Sequence, residues 1–233
     1  MISLILPIYN EAYTLKTNLP KIIKFLEKLK QRWEILIVEE STDNTPYVAD
    51  SFSKKYNNIK HIHSKKRLGK GGAVELGAAK SSGDKIVFMD IDLSADTSCI
   101  MKVVDELDNN DLVVCSRYNK KSIIDRIPKR LFLSRSYAII TRLLLGVNVS
   151  DFQCGLKGFN RKLFRVFTTI HNKGFFWDTE LLFYSNVAKF SIKEVPVIWK
   201  ENKQDVNTTI YMFKSLITLF LHRRVLNIFS PII

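Results

Sequence analysis

The chain has 233 residues, 46% of them hydrophobic and 25% charged, which is enough apolar material for a sizeable core and excludes a disordered or fibrous protein. Thirty-six Lys and Arg against 23 Asp and Glu leave a net charge of +13, so an anionic partner is expected: a phosphorylated substrate, an acidic membrane surface or nucleic acid. Three widely spaced cysteines, Cys99, Cys115 and Cys154, form no CxxC pair; this argues against a disulfide framework or a zinc site and for a reducing, cytoplasmic setting.

In chain order, the N-terminus runs straight into an apolar stretch that reads as a first core strand rather than a signal peptide. Strands are predicted at Ile2–Pro7, Glu34–Val38, Ile59–Ile62, Lys85–Met89 and Leu112–Cys115, with helix-like stretches between them. In the first of those stretches Leu15, Leu19, Ile22, Ile23, Leu26 and Leu29 share one helical face. This βαβα pattern predicts an α/β fold with a mostly parallel sheet flanked by helices, whose functional groups collect at the carboxyl ends of the strands. Pro7-Ile8-Tyr9-Asn10-Glu11 follows the first strand, Glu39-Glu40-Ser41-Thr42-Asp43 the second, and Asp90-Ile91-Asp92 the fourth.

Beyond residue 117 the pattern changes. Eight basic residues and one acid lie between Arg117 and Arg142, followed by Asp151–Phe159, a helix expected at Asp178–Ala188, a strand at Ile192–Trp199 and a helix-like segment from Thr208 to Phe229. Arg142 and His222-Arg223-Arg224 break the apolar runs before they reach the roughly 18 to 20 residues that cross a bilayer.

Asp90-Ile91-Asp92 is the sharpest chemical feature. Two carboxylates ending a buried strand can hold a hard cation, Mg²⁺ or Mn²⁺, and leave other positions for phosphate oxygens and water. A bare D-x-D also serves as a turn former or helix cap; its place after Lys85–Met89 favours the metal. Gly69-Lys70-Gly71-Gly72 is neither a P-loop nor a dinucleotide fingerprint, because Val74 stands at the third glycine position. It still offers free N–H groups to an anion, with a solvated loop as the plain alternative. Glu39-Glu40 is a pair of acceptors for a sugar or base, or a solvated turn. The histidines form no metal-binding spacing and no Gly-x-Ser-x-Gly elbow is present. With no RNP motif, zinc finger or basic heptad, the basic charge is not assigned to nucleic acid.

Taken in order, these motifs resemble glycosyltransferase family 2, of GT-A fold, and within it the dolichyl- or polyprenyl-phosphate mannose and glucose synthases. The resemblance spans residues 2–200. It rests on Pro7-Ile8-Tyr9-Asn10-Glu11, Val38-Glu39-Glu40-Ser41-Thr42-Asp43, Gly69-Lys70-Gly71 leading to Gly77, and Ser81-Gly83-Asp84. Met89-Asp90-Ile91-Asp92-Leu93-Ser94, Ser116-Arg117-Tyr118, Val149 through Gly155, Glu180 and Glu194-Val195-Pro196-Val197 complete it. It implies that Pro7, Tyr9, Glu11, Glu39 and Glu40 surround a nucleotide, with Lys70 and Asp90 beside it. It implies that Asp90, Asp92 and Ser94 form the metal set, and that Arg117 and Arg130 meet an acceptor phosphate. Glu39-Glu40 departs from the family's Asp pair, and the segment after Trp199 lacks its Arg and Gly-x-Ser-Lys run.

The resemblance implies a metal-dependent, inverting transfer of a hexose, mannose or glucose, from a GDP- or UDP-sugar to a polyprenyl phosphate. A metal at Asp90 and Asp92 offsets charge on the leaving diphosphate, and a phosphate nucleophile, already anionic near pH 7, needs orienting cations more than a base. A family 2 enzyme with a carbohydrate or protein hydroxyl acceptor is the alternative. Asp151 is a candidate third acid, set beside the metal, positioning a basic residue, or forming a structural cap. The expected organisation is a catalytic domain over 1–204 and an amphipathic segment over 205–233 that, with the basic stretch Lys129–Leu145, lies on the cytoplasmic membrane face without crossing it.

Overall fold

The computed structural model describes residues 1–201 and 213–220, apart from the side chains of Lys129 and Arg130. The first half alternates strand and helix: β1 (Ile2–Ile8), α1 (Ala12–Leu26), β2 (Trp33–Glu39), α2 (Thr45–Lys55), β3 (Ile59–His63), α3 (Gly69–Lys80), β4 (Lys85–Met89), α4 (Cys99–Glu106) and β5 (Leu112–Ser116). The second half holds β6 (Ile123–Asp125), α5 (Pro128–Leu145), β7 (Leu156–Asn160), α6 (Phe164–Phe167), α7 (Trp177–Val187), β8 (Ile192–Pro196) and β9 (Ile198–Lys200). Residues 213–220 are also helical.

Seven strands form one sheet in the order β3-β2-β1-β4-β7-β5-β8, and β6 pairs with β9 in a small second sheet. The main sheet is parallel except at β7, which runs antiparallel to both β4 and β5. Apolar side chains occupy both faces of the central strands because helices cover both. Leu4, Leu6, Ile35, Ile37, Val87 and Met89 face one layer with α1, α2 and α4. Ile5, Leu36, Val38, Ile86 and Phe88, one step out of phase, face the other with α3, α5 and α7. At the α3–α7 contact a Cβ on Gly71 would lie 2.1 Å from the Trp177 ring, so only glycine lets the two helices meet there.

The expected strands β1 to β5 and the apolar face of α1 are present. Two expectations change. The strand expected at Ile192–Trp199 breaks after Pro196, so that β8 joins the main sheet and β9 leaves it to pair with β6. β7 was not foreseen: Leu156-Lys157-Gly158-Phe159-Asn160 has no apolar run, yet it is central in the sheet and Lys157 is fully buried. Of the helix expected from Thr208 to Phe229, the described part is helical; the remainder, with His222, Arg223, Arg224 and most of the expected 205–233 segment, lies outside the described residues.

Candidate active site

The chain order reverses direction across the sheet between β1 and β4, and in an open parallel sheet the crevice at such a switch point, beyond the strands' carboxyl ends, takes ligands. A cavity of about 440 Å³ lies there. Pro7, Tyr9, Glu11, Glu40, Lys70, Asp90 and Asp92 all line it, although they come from four separate stretches of sequence. The loops after β1 and β2 are tied together: Asn10 N–H donates to Ser41 Oγ at 2.9 Å, Thr42 N–H to Asn10 Oδ1 at 2.9 Å, and Glu11 N–H to Thr45 Oγ1 at 3.0 Å. Asn10 has φ +54°, a left-handed conformation that Asn tolerates and that turns the chain out of β1.

One end of the cavity is acidic. The backbone N–H of Asp90 donates to the Gly155 carbonyl at 3.2 Å, anchoring the loop after β4 to the start of β7. A Cβ on Gly155 would lie 1.9 Å from Asp90 Oδ2, so glycine is the residue that leaves room for this carboxylate. Asp92 is oriented by Ser94, whose N–H and hydroxyl donate to its two oxygens at 2.9 and 2.7 Å. Ser94 therefore braces Asp92. Lys70 Nζ stands 2.9 Å from Asp90 Oδ1 and 3.5 Å from Asp178 Oδ2 on α7.

Charge at this end is incompletely balanced. Burial, and after it the neighbouring Asp92 and Asp90, push the Glu11 carboxyl up to about 7. Burial raises the Asp90 carboxyl even though Lys70 acts in the opposite sense. Lys70 itself is held above the usual lysine range, because Asp178 and Asp90 outweigh the cost of burying its charge. Among the described residues no group of three His, Cys, Asp or Glu side chains is arranged to hold a metal. Two oriented carboxylates facing a cavity nevertheless fit Mg²⁺ or Mn²⁺, which take one or two protein carboxylates and complete their shell with phosphate and water oxygens. The raised Glu11 and Asp90 carboxyls mark a place where a cation lowers the electrostatic cost.

At the opposite end the carboxylates are already satisfied. Glu40 accepts from the backbone N–H groups of Leu68 and Gly69 and lies 3.3 Å from Arg67, whose guanidinium stacks 3.4 Å over the Tyr9 ring. Glu39, expected beside the nucleotide, does not line the cavity. It is fully buried, with Ser41 N–H at 2.7 Å, His61 Nε2 at 3.0 Å and His63 Nδ1 at 2.6 Å from its oxygens; these contacts overcome burial and hold its carboxyl below the usual range.

Arg117, expected at an acceptor phosphate, is held by an internal acid. Its Nε and Nη2 donate to the two oxygens of Asp151 at 2.7 and 2.8 Å, its own N–H donates to Asp151 Oδ2 at 2.9 Å, and its guanidinium lies 4.9 Å from the Trp199 ring centre. Arg117 is 7% exposed and Asp151 1%, so the two form a buried bidentate pair in which Asp151 holds the guanidinium. Arg130 falls in the first turn of α5, and its side chain lies outside the described part. Sequence reasoning missed Arg67 as a stacking partner, Phe175 as a wall and Asp178 behind Lys70. Asp178, in the first turn of a helix, satisfies a local rule as an acid at a helix start, so nothing local pointed to the cavity.

The sequence matches the model of the family described as "Glycosyl transferase family 2" over residues 3–167. The chain belongs to glycosyl transferase family 2. Over 94% of its length it is 31% identical to the dolichyl-phosphate beta-glucosyltransferase of Dictyostelium discoideum, covering 73% of that protein, and over 86% it is 30% identical to the human enzyme of that name, covering 67%. Glycosyltransferase AglD of Haloferax volcanii is 34% identical over 85% of this chain, which spans only a third (33%) of that protein. The fold is GT-A, and it is shared with solved glycosyltransferases of low sequence identity. Glucosyl-3-phosphoglycerate synthase of Mycobacterium tuberculosis, crystallised with Mn²⁺, UDP and phosphoglyceric acid, superposes with a TM-score of 0.69 at 19% identity, over 96% of this chain and 78% of that one. Mannosyl-3-phosphoglycerate synthase of Rubrobacter xylanophilus gives 0.72 at 16%, over 100% and 77%. The family 2 enzyme described here is thus a glycosyltransferase whose acidic cavity sits at the β1–β4 switch point.

Proposed function

We propose that this family 2 enzyme transfers glucose, with inversion, from a nucleoside-diphosphate glucose to a polyprenyl phosphate at a membrane surface. The observation that carries the reading is the acidic end of the cavity, where Asp90 and Asp92 face ligand space with Lys70 beside them, in a chain resembling dolichyl-phosphate beta-glucosyltransferases over nearly its whole length. A single in-line displacement on an α-linked nucleotide sugar yields a β-linked product, in keeping with those relatives' names. UDP-glucose is the donor to test first and GDP-mannose the competitor, since a UDP complex is known for a protein of this fold.

In this mechanism Asp90 and Asp92 would hold Mg²⁺ or Mn²⁺. When bound, the metal offsets negative charge on the leaving diphosphate. Ser94 keeps Asp92 oriented, Lys70 adds a second positive charge at the same end, and Pro7, Tyr9, Glu11, Glu40 and Arg67 line the remainder of the nucleotide space. The acceptor phosphate brings its own anionic oxygen, so the protein's task is orientation. Arg130 and Arg117 remain the proposed phosphate ligands, with Asp151 orienting the Arg117 guanidinium.

No helix among the described residues is long and apolar enough to cross a membrane. The outer face of α5 nevertheless exposes Phe132 (72%), Ile139 (53%) and Leu143 (77%) among Arg135 and Arg142, and α5 contains no acid. This mixture suits the interface of an anionic bilayer and supports a peripheral enzyme, with residues 205–233 as a second contact. The free, buried cysteines accord with the cytoplasmic side.

The reading is tested by incubating purified protein with Mn²⁺, radiolabelled UDP-glucose or GDP-mannose, and either a polyprenyl phosphate or soluble hydroxyl acceptors. Glucose label in the organic phase is expected. Label only in soluble product would establish the hydroxyl-acceptor alternative, and label from GDP-mannose alone would replace glucose with mannose.

A further inference from the structure

Helix α7 brings an acid to the back of the cavity. Asp178 is 1% exposed, and its Oδ1 accepts from Lys157 Nζ at 2.6 Å; that ammonium also donates to the Cys154 carbonyl at 2.7 Å. Asp178 Oδ2 faces Lys70 Nζ at 3.5 Å. Asp90, Lys70, Asp178 and Lys157 thus form a row of alternating charges running from the cavity into the core. An ammonium has three donors, so Lys70 can serve Asp90 and Asp178 and still present one N–H to the cavity it lines.

We propose that Asp178 is a positioning residue that keeps the Lys70 ammonium in the cavity when a divalent cation settles on Asp90 and Asp92, so that both cations meet the departing diphosphate. The inference rests on the metal-and-diphosphate reading of Asp90 and Asp92. A divalent cation there competes with Lys70 for the Asp90 carboxylate and repels its ammonium. Without an opposing attraction the long side chain swings towards solvent and its charge is lost to the reaction. Asp178 supplies that attraction from the core side. Lys157 in turn keeps Asp178 from being a lone buried charge, which explains why a lysine lies in the middle of a central strand.

The test uses Asp178→Asn, which is nearly isosteric, and the double variant Asp178→Asn/Lys157→Met, which removes the buried pair as a unit and leaves no unpaired ammonium to unfold the protein. Calorimetry measures binding of Mn²⁺ alone and of UDP in the presence of Mn²⁺, and turnover is followed with UDP-glucose. Mn²⁺ alone should bind at least as tightly as to the parent protein, because Lys70 now yields Asp90 more readily. UDP with Mn²⁺ should bind more weakly and kcat should fall on the order of tenfold, the loss of one charge-assisted hydrogen bond. Adding Asp178→Asn to Lys70→Met should change UDP binding by less than about twofold, because coupled residues are not additive. Additive losses, or Mn²⁺ binding that weakens in step with UDP binding, would overturn the role of Asp178 while leaving the metal site standing. A parent protein that binds no UDP with Mn²⁺ would overturn the reading of Asp90 and Asp92, and this inference with it.

Discussion

Asp151 and Asp90 sit at the same edge of the sheet, each bonded to a basic side chain, and they are balanced in opposite ways. Asp151 has a bidentate Arg117 and two further N–H donors, so that its carboxyl lies below the usual range although burial alone would raise it. Asp90 shares a single ammonium with Asp178, stands near Asp92 and Glu11, and is raised. The first group's charges are closed against one another within the protein. The second is short of positive charge, which is the condition under which a cavity draws in a cation and the phosphates that accompany it.

The comparison breaks most sharply at Asp92. Asp92→Asn should lower kcat by about 10³-fold, the scale of removing a principal electrostatic element from a site, with little change in thermal unfolding. Undiminished turnover in that variant, or in excess chelator, would remove the metal from Asp90 and Asp92.

Asp151→Ala should behave in the reverse manner, costing about 3–5 kcal/mol of stability by stranding a buried guanidinium. The pH dependence follows the same logic. A carboxyl held below its unfolded value of about 3.9 stabilises the fold above that pH and loses the contribution as pH falls through its folded value. The stability difference between parent and variant should thus narrow in acid, as urea titrations at several pH values would show. Parental stability in the variant would overturn this structural role, and a raised requirement for polyprenyl phosphate would support Arg117 as an acceptor ligand.

Gly155→Ala probes the contact between the two regions. Its methyl displaces Asp90, and a catalytic group misplaced by about 1 Å costs on the order of 10²-fold in rate. Steady-state kinetics with parental KM for the polyprenyl phosphate would confirm that only the acidic end moved.

The smallest effect is expected outside both groups. Leu143→Glu on the outer face of α5 should weaken flotation with anionic liposomes severalfold, and added salt should weaken it further in parent and variant alike. Binding indifferent to both would detach α5 from the membrane surface.

Much of this was legible in the residues themselves. Short apolar runs such as Leu4–Leu6 and Ile35–Val38 read as strands buried on both faces, and the acids directly after them gather at one edge because parallel strands end together. The order of the motifs carried the family. Local pattern failed where a residue's role depends on a partner far along the chain. Lys157 hides β7 from local pattern, because the acid that neutralises it, Asp178, lies on a helix further along the chain, and Glu39 and Glu40 looked alike until β3 placed two histidines against one of them. Nothing local to Arg117 announced its internal acid; Asp151, brought across by the turn into β7, supplies it. Composition and periodicity fix which residues are buried and which edge is charged. Only the tertiary structure decides which of those charges are spent on one another, because Coulomb attraction depends on separation in space and not along the chain.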